Sequence, residues 1–379
     1  MNQHKCHGTV YKINISIIIF ILKISLFILG LTALSVSLTA QSFDLLAYDK
    51  YRWLPVSNRV SVANAYEIVI YTPDFTFVDR YSIVNYPSED KRIINYEWSP
   101  DETRLAILFD DNSRTSVLFE LWDVASHQKI DALGDVHSLI LEWSPDSQYL
   151  ALNRSILSYN SILFVNGNDG TLHYDWETVL NFYLAWHPTD QQVATHSQAS
   201  VSLWDISVEP PQLITNLIAA RDDGLDYNQS GSQLAFVPAD QGSNIIIYNT
   251  QTYEPITVLH HPDRVGRFRW GSFPLSSIGS GGRALYVWDT TAGQPLLVVP
   301  GLFADPPEWS PDGTMMLLNS KELGVHIRSG TTGEVLATLN DALATPTPTP
   351  NLCDDVSANS ADLIANKMIF DRVCAIVIQ

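Results

Sequence analysis

The sequence predicts an all-β fold, a seven-bladed β-propeller of four-stranded antiparallel blades, and three observations carry that prediction. Seven aromatic residues, Trp53, Trp98, Trp143, Trp186, Tyr227, Trp270 and Trp309, recur at intervals of 39 to 45 residues. The best copies continue into a polar turn, as in Trp98-Ser99-Pro100-Asp101, Trp143-Ser144-Pro145-Asp146 and Trp309-Ser310-Pro311-Asp312-Gly313. Roughly midway between successive aromatics a second, β-prone run appears. A period near forty residues marks stacked units, because one small sheet cannot bury both its faces alone.

The elements follow in order. Trp53-Leu54-Pro55 and Val60-Ser61-Val62 match the first and second strands of later repeats, so the first blade is expected to be complete from its innermost strand. Third strands are expected at Ile68–Tyr71, Glu120–Asp123, Ile162–Val165, Ser202–Asp205, Ile245–Tyr248, Tyr286–Asp289 and Val325–Arg328. Polar turns such as Asn249-Thr250-Gln251-Thr252 come next, then outer strands such as Gln294–Val299 and Val335–Leu339. Short runs separated by Gly, Asn, Asp and Pro are the sequence form of a propeller blade. The repeat aromatics are expected to be packing wedges between blades, given the area a buried Trp supplies. Blade seven should close the ring by packing on blade one; Phe43-Asp44-Leu45-Leu46 is the segment that could instead cross over to the last blade.

The Ser-Pro-Asp turns, with Trp122-Asp123, Trp204-Asp205 and Trp288-Asp289 at third-strand ends, make residues 44–340 resemble the WD40-repeat family. The Gly-His element of that family is mostly missing. His261 stands at about its position, within Leu-His-His, and an Asp partner for it is wanting in most blades. A TolB-like propeller shares the Trp-Ser-Pro-Asp-Gly turn, and six blades would mark it. The WD40 resemblance implies a scaffold that binds a protein or peptide on the face where outer strands connect to the next inner strand.

Composition narrows the function. The net charge is −19, and residues 1–40 hold three lysines and no acid, so the acidic surplus lies wholly in the remainder. Such a surface repels phosphate backbones, which argues against nucleic-acid binding. Lys23 followed by an uncharged apolar run to Asp44 has the form of an export signal, cleaved near Ala40, or of a retained membrane anchor. Lysines before the run place the propeller outside the cytoplasm, in the envelope or beyond it. Membrane contact is expected only through this segment, and the protein is expected to be a monomer. Residues 341–352 form a Thr/Pro-rich linker with extended geometry. Residues 353–379 form a short tail, where Cys353 and Cys374 could pair in an oxidising compartment.

No catalytic constellation is expected, and no cofactor or metal. Ser277–Gly282 lacks the spacing of a nucleophile elbow and reads as a turn, and His260-His261 would point to opposite faces of a strand. Asn166–Gly170 loosely resembles a calcium loop but lies where the repeat demands a turn. One basic cluster, His260, His261, Arg264, Arg267 and Arg269 in one connection and its following strand, departs from the acidic background. The outer-to-inner connections should ring one end of the channel and present Asp90, Lys91, Arg92, Asp135, His137, Arg221, Asp222, Asp223, His261, Arg264, Arg267, Phe303 and Asp305. Arg and aromatic side chains dominate interfaces, which makes Arg264, Arg267 and Phe303 the expected anchors.

Overall fold

The computed structural model describes residues 50–82, 91–110, 117–136, 141–156, 159–177, 183–196, 200–270 and 274–340. The export segment, Phe43–Leu46, the cysteines and the tail lie outside them.

Seven antiparallel sheets are present, each made of four consecutive strands paired in chain order. Blade one comprises β1 (Lys50–Leu54), β2 (Arg59–Ala63), β3 (Glu67–Tyr71) and β4 (Phe77–Ser82). Blade two comprises β5 (Arg92–Trp98), β6 (Arg104–Asp110), β7 (Val117–Asp123) and β8 (Gln128–Asp135). Blade three comprises β9 (Leu141–Trp143), β10 (Tyr149–Ile156), β11 (Tyr159–Asn166) and β12 (Leu172–Glu177). Blade four comprises β13 (Tyr183–Trp186), β14 (Gln192–His196), β15 (Val201–Asp205) and β16 (Gln212–Asn216). Blade five comprises β17 (Ala220–Tyr227), β18 (Gln233–Pro238), β19 (Asn244–Asn249) and β20 (Pro255–His260). Blade six comprises β21 (Val265–Arg269), β22 (Ser276–Gly279), β23 (Ala284–Asp289) and β24 (Gln294–Pro300). Blade seven comprises β25 (Glu308–Trp309), β26 (Met315–Ser320), β27 (Gly324–Ser329) and β28 (Val335–Thr338).

Every expected third-strand run falls on the third strand of its blade. The middle strands are sandwiched between neighbouring blades, so both their faces are buried and they read as near-continuous apolar runs. Ile245–Ile247 and Leu105–Phe109 are buried throughout. Outer strands lack a covering neighbour, and Leu296 and Leu336 are exposed there. The ring closes by packing β1 against β25 and β26, and among the described residues no strand is shared between blades one and seven. One expectation needs correction: Ser277-Ile278-Gly279 is not a turn but part of β22, and the turn begins at Ser280.

The Ser-Pro-Asp turn has a specific hydrogen-bond logic. Ser99 Oγ donates to Asp101 at 2.6 Å and accepts from the Arg104 N–H at 2.9 Å, which starts the second strand. Ser144 with Asp146 and Ser310 with Asp312 repeat the contact at 2.6 and 2.7 Å. The hydrogen bond from Ser310, with those from Thr314, holds the Asp312 carboxyl below its ordinary value. Each turn then needs a left-handed residue, supplied by Glu102, Ser147, Gly231 and Gly313. At Gly231 a Cβ would sit 2.2 Å from the His187 ring, so glycine is required there for space as well as for conformation.

The aromatic wedges cross between blades. The Trp98 indole N–H donates to Ser61 Oγ of blade one at 2.9 Å, and that of Trp143 donates to the Glu97 carbonyl of blade two at 3.3 Å. Trp186 donates to the Glu142 carbonyl at 3.1 Å, and Trp309 to Ser276 Oγ at 3.3 Å. These four wedges thus each tie their blade to the one before it, whereas the Trp53 indole N–H donates to Asn58 of its own blade at 3.0 Å. The calcium-like run Asn166–Gly170 is a turn held by its own side chains: Asn166 Oδ1 accepts from the Asn168 N–H, and Asp169 Oδ1 from the Thr171 N–H and hydroxyl.

Candidate binding site at the central channel

Side chains alternate along a strand, so the residue preceding each wedge takes the other side of its inner strand. Those residues are Arg52, Glu97, Glu142, Ala185, Asp226, Arg269 and Glu308. Six of the seven are ionisable. Glu142 of blade three responds electrostatically to Glu97, Arg269, Asp226 and Arg52, which come from blades two, six, five and one. Only convergence on the ring axis brings four other blades within reach, so these residues line the central channel.

The ring is partly neutralised. Arg52 Nε meets Glu97 Oε2 at 2.6 Å, and its Nη2 donates to Asn95 Oδ1 at 3.1 Å. Its guanidinium lies 5.6 Å from the Tyr96 ring centroid. Burial opposes the Arg52 charge, but Glu97, together with Tyr96 and Glu142, more than offsets that and holds the guanidinium above its ordinary pKa. Arg269 pairs with Glu308, which also stands 3.8 Å from Arg52. Asp226 accepts a 2.7 Å hydrogen bond from the Trp270 main-chain N–H. Desolvation pushes its carboxyl up to about 6, against the lowering effects of that N–H and of Arg269.

Glu142 differs from the rest. Desolvation first, and Glu97 second, push its carboxyl up to about 8. Solvent still reaches the side chain, although protein surrounds it. A carboxyl facing a narrow, water-filled channel meets both conditions, and its charge is screened more than in a dry core. Among the described residues no group of His, Cys, Asp and Glu is disposed to hold a metal ion.

Where the inner strands begin, the channel opens into a cavity of 380 Å³ lined by Lys50, Arg52, Asn95, Arg267, Arg269 and Asp305, among others. This is the end to which the outer-to-inner connections lead. Arg267 of blade six pairs with Asp305 in the connection between blades six and seven, and both side chains remain exposed. Arg264, three residues before Arg267 in the chain, is exposed. Lys91 meets Glu120 at 3.3 Å, and Arg92 is exposed. Arg221, Asp222 and Asp223 fall on β17, but their side chains, like that of Asp135, lie outside the described set; so do Asp90 and His137.

Two expected contact residues are corrected. His261 is buried, with its ring 4.5 Å from Tyr286 and 6.1 Å from Trp288. Desolvation lowers its pKa, and it serves as packing behind the third strand of blade six. Phe303 is buried too, bridged through its backbone to Ser320 and packed with Val299 and Trp309. Neither side chain offers area to a partner. The channel ring itself was missed at the sequence level. Its signal was present, as a charged residue before almost every repeat aromatic.

The sequence matches no protein-family model and no curated protein. Solved structures do match. A chain in the crystal structure of a mitotic checkpoint complex aligns with TM-score 0.60 and 15% identity, over 75% of this chain and 88% of that one. The Cps50 (Swd1) β-propeller domain of Myceliophteria thermophila aligns with TM-score 0.59 and 11% identity, over 75% of this chain and 97% of that one. With seven four-stranded blades, Ser-Pro-Asp turns and third-strand Trp-Asp pairs, the fold is that of a WD40-type β-propeller.

Proposed function

We propose that this propeller is a non-catalytic scaffold that binds a protein or peptide over the channel mouth. The observation that carries the reading is the 380 Å³ cavity between the inner strands of blades one, two, six and seven, bordered by the exposed Arg267 and Asp305. Exposed Arg264 lies three residues before Arg267 in the chain. Arginine at the edge of a concave site is a frequent anchor of protein interfaces. The first solved structure matched comes from a complex, which supports a scaffold role by analogy only. Capture from an extract of the native source should recover a partner. Arg264→Ala with Arg267→Ala should weaken its binding by roughly 30-fold, the equivalent of about 2 kcal/mol. Unchanged capture would remove the channel mouth as the site.

Export forms part of the proposal and rests on the charge step from Lys23 to Asp44 around an apolar segment. Fractionation should place the protein in the envelope or medium, with its N-terminus near Gln41 if the segment is cleaved. Recovery of the full-length chain as a soluble cytoplasmic protein would overturn it.

A second reading, an enzyme or sugar-binding site within the channel, is favoured by one observation. Glu142 and Asp226 are raised to different extents, the pattern by which two carboxyls divide acid and base roles. Turnover of a glycoside that Glu142→Gln abolishes would favour it over the scaffold.

A further inference from the structure

Blade four breaks the repeat in two places, and the two breaks meet. Its first turn reads His187-Pro188-Thr189-Asp190 and has no left-handed residue at the position filled by Glu102, Ser147, Gly231 and Gly313 in other blades. His187 replaces the usual serine: its Nδ1 accepts from the Asp190 N–H at 3.0 Å, and its Nε2 lies 3.0 Å from the Gly231 carbonyl. The second break is the turn between β15 and β16, which spans residues 206–211, whereas the matching turn of blade six spans 290–293. Between these two turns and blade three opens a cavity of 490 Å³. It lies away from the channel and shares no residue with the channel mouth.

The chemistry of the walls is one-sided. Tyr149, His173 and Trp186 contribute aromatic faces, and Asp146, Asp190 and Glu209 contribute carboxylates. No Lys or Arg lines the cavity. Trp186, like Trp270, is only half-buried, whereas Trp53, Trp98, Trp143 and Trp309 are buried. Its indole N–H is committed to the Glu142 carbonyl, which leaves the π surface as what it can offer a ligand. His173 lies 4.8 Å from Tyr149, centroid to centroid, and its Nε2 holds Glu209 Oε1 at 2.9 Å. Both ring nitrogens of His187 have main-chain partners. The site therefore presents π faces and carboxylate oxygens, with Tyr149, Tyr174 and Gln191 as neutral polar groups in the lining. Anions are repelled, and a neutral polyol, although its hydroxyls can donate to the carboxylates, leaves their charge unneutralised.

We propose that the cleft between blades three and four binds an organic cation, an alkylammonium or guanidinium group. Aromatic faces attract such a group through their quadrupoles, and the carboxylates add charge-assisted hydrogen bonds. A volume of 490 Å³ lies within the usual range for small-ligand sites. The cation can come from a free polyamine or from a Lys or Arg side chain of a partner, and the two sources share this chemistry. Its acceptance does not depend on the channel-mouth reading.

Calorimetric titration of the full chain tests the proposal with three probes: spermidine, a capped Gly-Arg-Gly peptide and the neutral Gly-Gln-Gly analogue. At least one cationic probe should bind with a dissociation constant below about 1 mM, and the neutral analogue should not. Tighter binding of spermidine would point to free amines, and tighter binding of the arginine peptide to a partner side chain. Asp190→Asn with Glu209→Gln should weaken binding at least about tenfold, or 1.4 kcal/mol. Both residues are exposed, so folding should survive, as matching melting curves would verify. Glu334→Gln, which removes an exposed carboxylate from blade seven, should leave the affinity unchanged. The proposal fails if the cations give no heat, if the neutral peptide binds equally, or if the double variant binds as the wild type does. The last result would mean diffuse attraction to an acidic protein.

Discussion

Trp288→Ala should lower the unfolding free energy by about 3 to 5 kcal/mol, as expected when a large buried aromatic is truncated. Trp288 is 1% exposed and sits on β23, the third strand of blade six. Its indole N–H donates to Ser277 Oγ at 2.8 Å, and its ring stacks on Tyr286 at 5.8 Å. Truncation would leave a cavity facing His261 and strip the fully buried Ser277 hydroxyl of that partner. Both effects add, because an unpaired buried hydroxyl carries its own desolvation penalty. Trp204, by contrast, makes the same kind of bond to Thr195 at 2.9 Å but is only half-buried, so its loss should cost less. Urea unfolding of the two variants would check the order. A loss below about 1 kcal/mol at Trp288 would show that blade six is held chiefly by its neighbours.

The second large effect concerns pH. Glu142 ionises near 4.5 in an ordinary setting and near 8 in the channel. Between those values the folded chain retains a proton that the unfolded chain has released. Stability therefore falls as pH rises through that window and levels off above it. Asp226 contributes in the same direction between 3.8 and about 6. Buried His261 and His326, whose pKa values burial lowers, act oppositely below about 6.5. The difference between wild type and variant isolates Glu142 from them. Glu142→Gln should flatten the decline and stabilise the fold at pH 8 by about 1 to 2 kcal/mol, a figure reduced from the full linkage value because channel water screens the group. At pH 4 the two proteins should unfold alike. Parallel curves from pH 4 to 9 would show that channel water solvates Glu142 fully.

The blade architecture could be read directly from the residues. A wedge aromatic, a Ser-Pro-Asp turn and an apolar third strand recur because every blade solves the same local problem, burying both faces of a small sheet. Those signals are short-range, since Ser99 reaches Asp101 and the Arg104 N–H within one turn. The exposed Arg264 could also be placed on its connection, and Arg267 on the strand that follows it. His261 and Phe303 misled because a polar or aromatic residue in a connection looks available until its neighbours are known. Tyr286, Trp288 and Trp309 cover them.

The sequence by itself determined the fold class, the blade boundaries and the acidic character, all of which depend on periodicity and composition. Only the tertiary structure decided what the seven inner strands do together. Arg52 and Glu97 are 45 residues apart, and Glu142 answers to residues from four other blades. Local pattern cannot signal contacts created when the ring closes and brings one residue from each repeat to a common axis. The cleft of blade four has the same origin: two modest departures in separate turns become a cavity only because folding sets them against blade three.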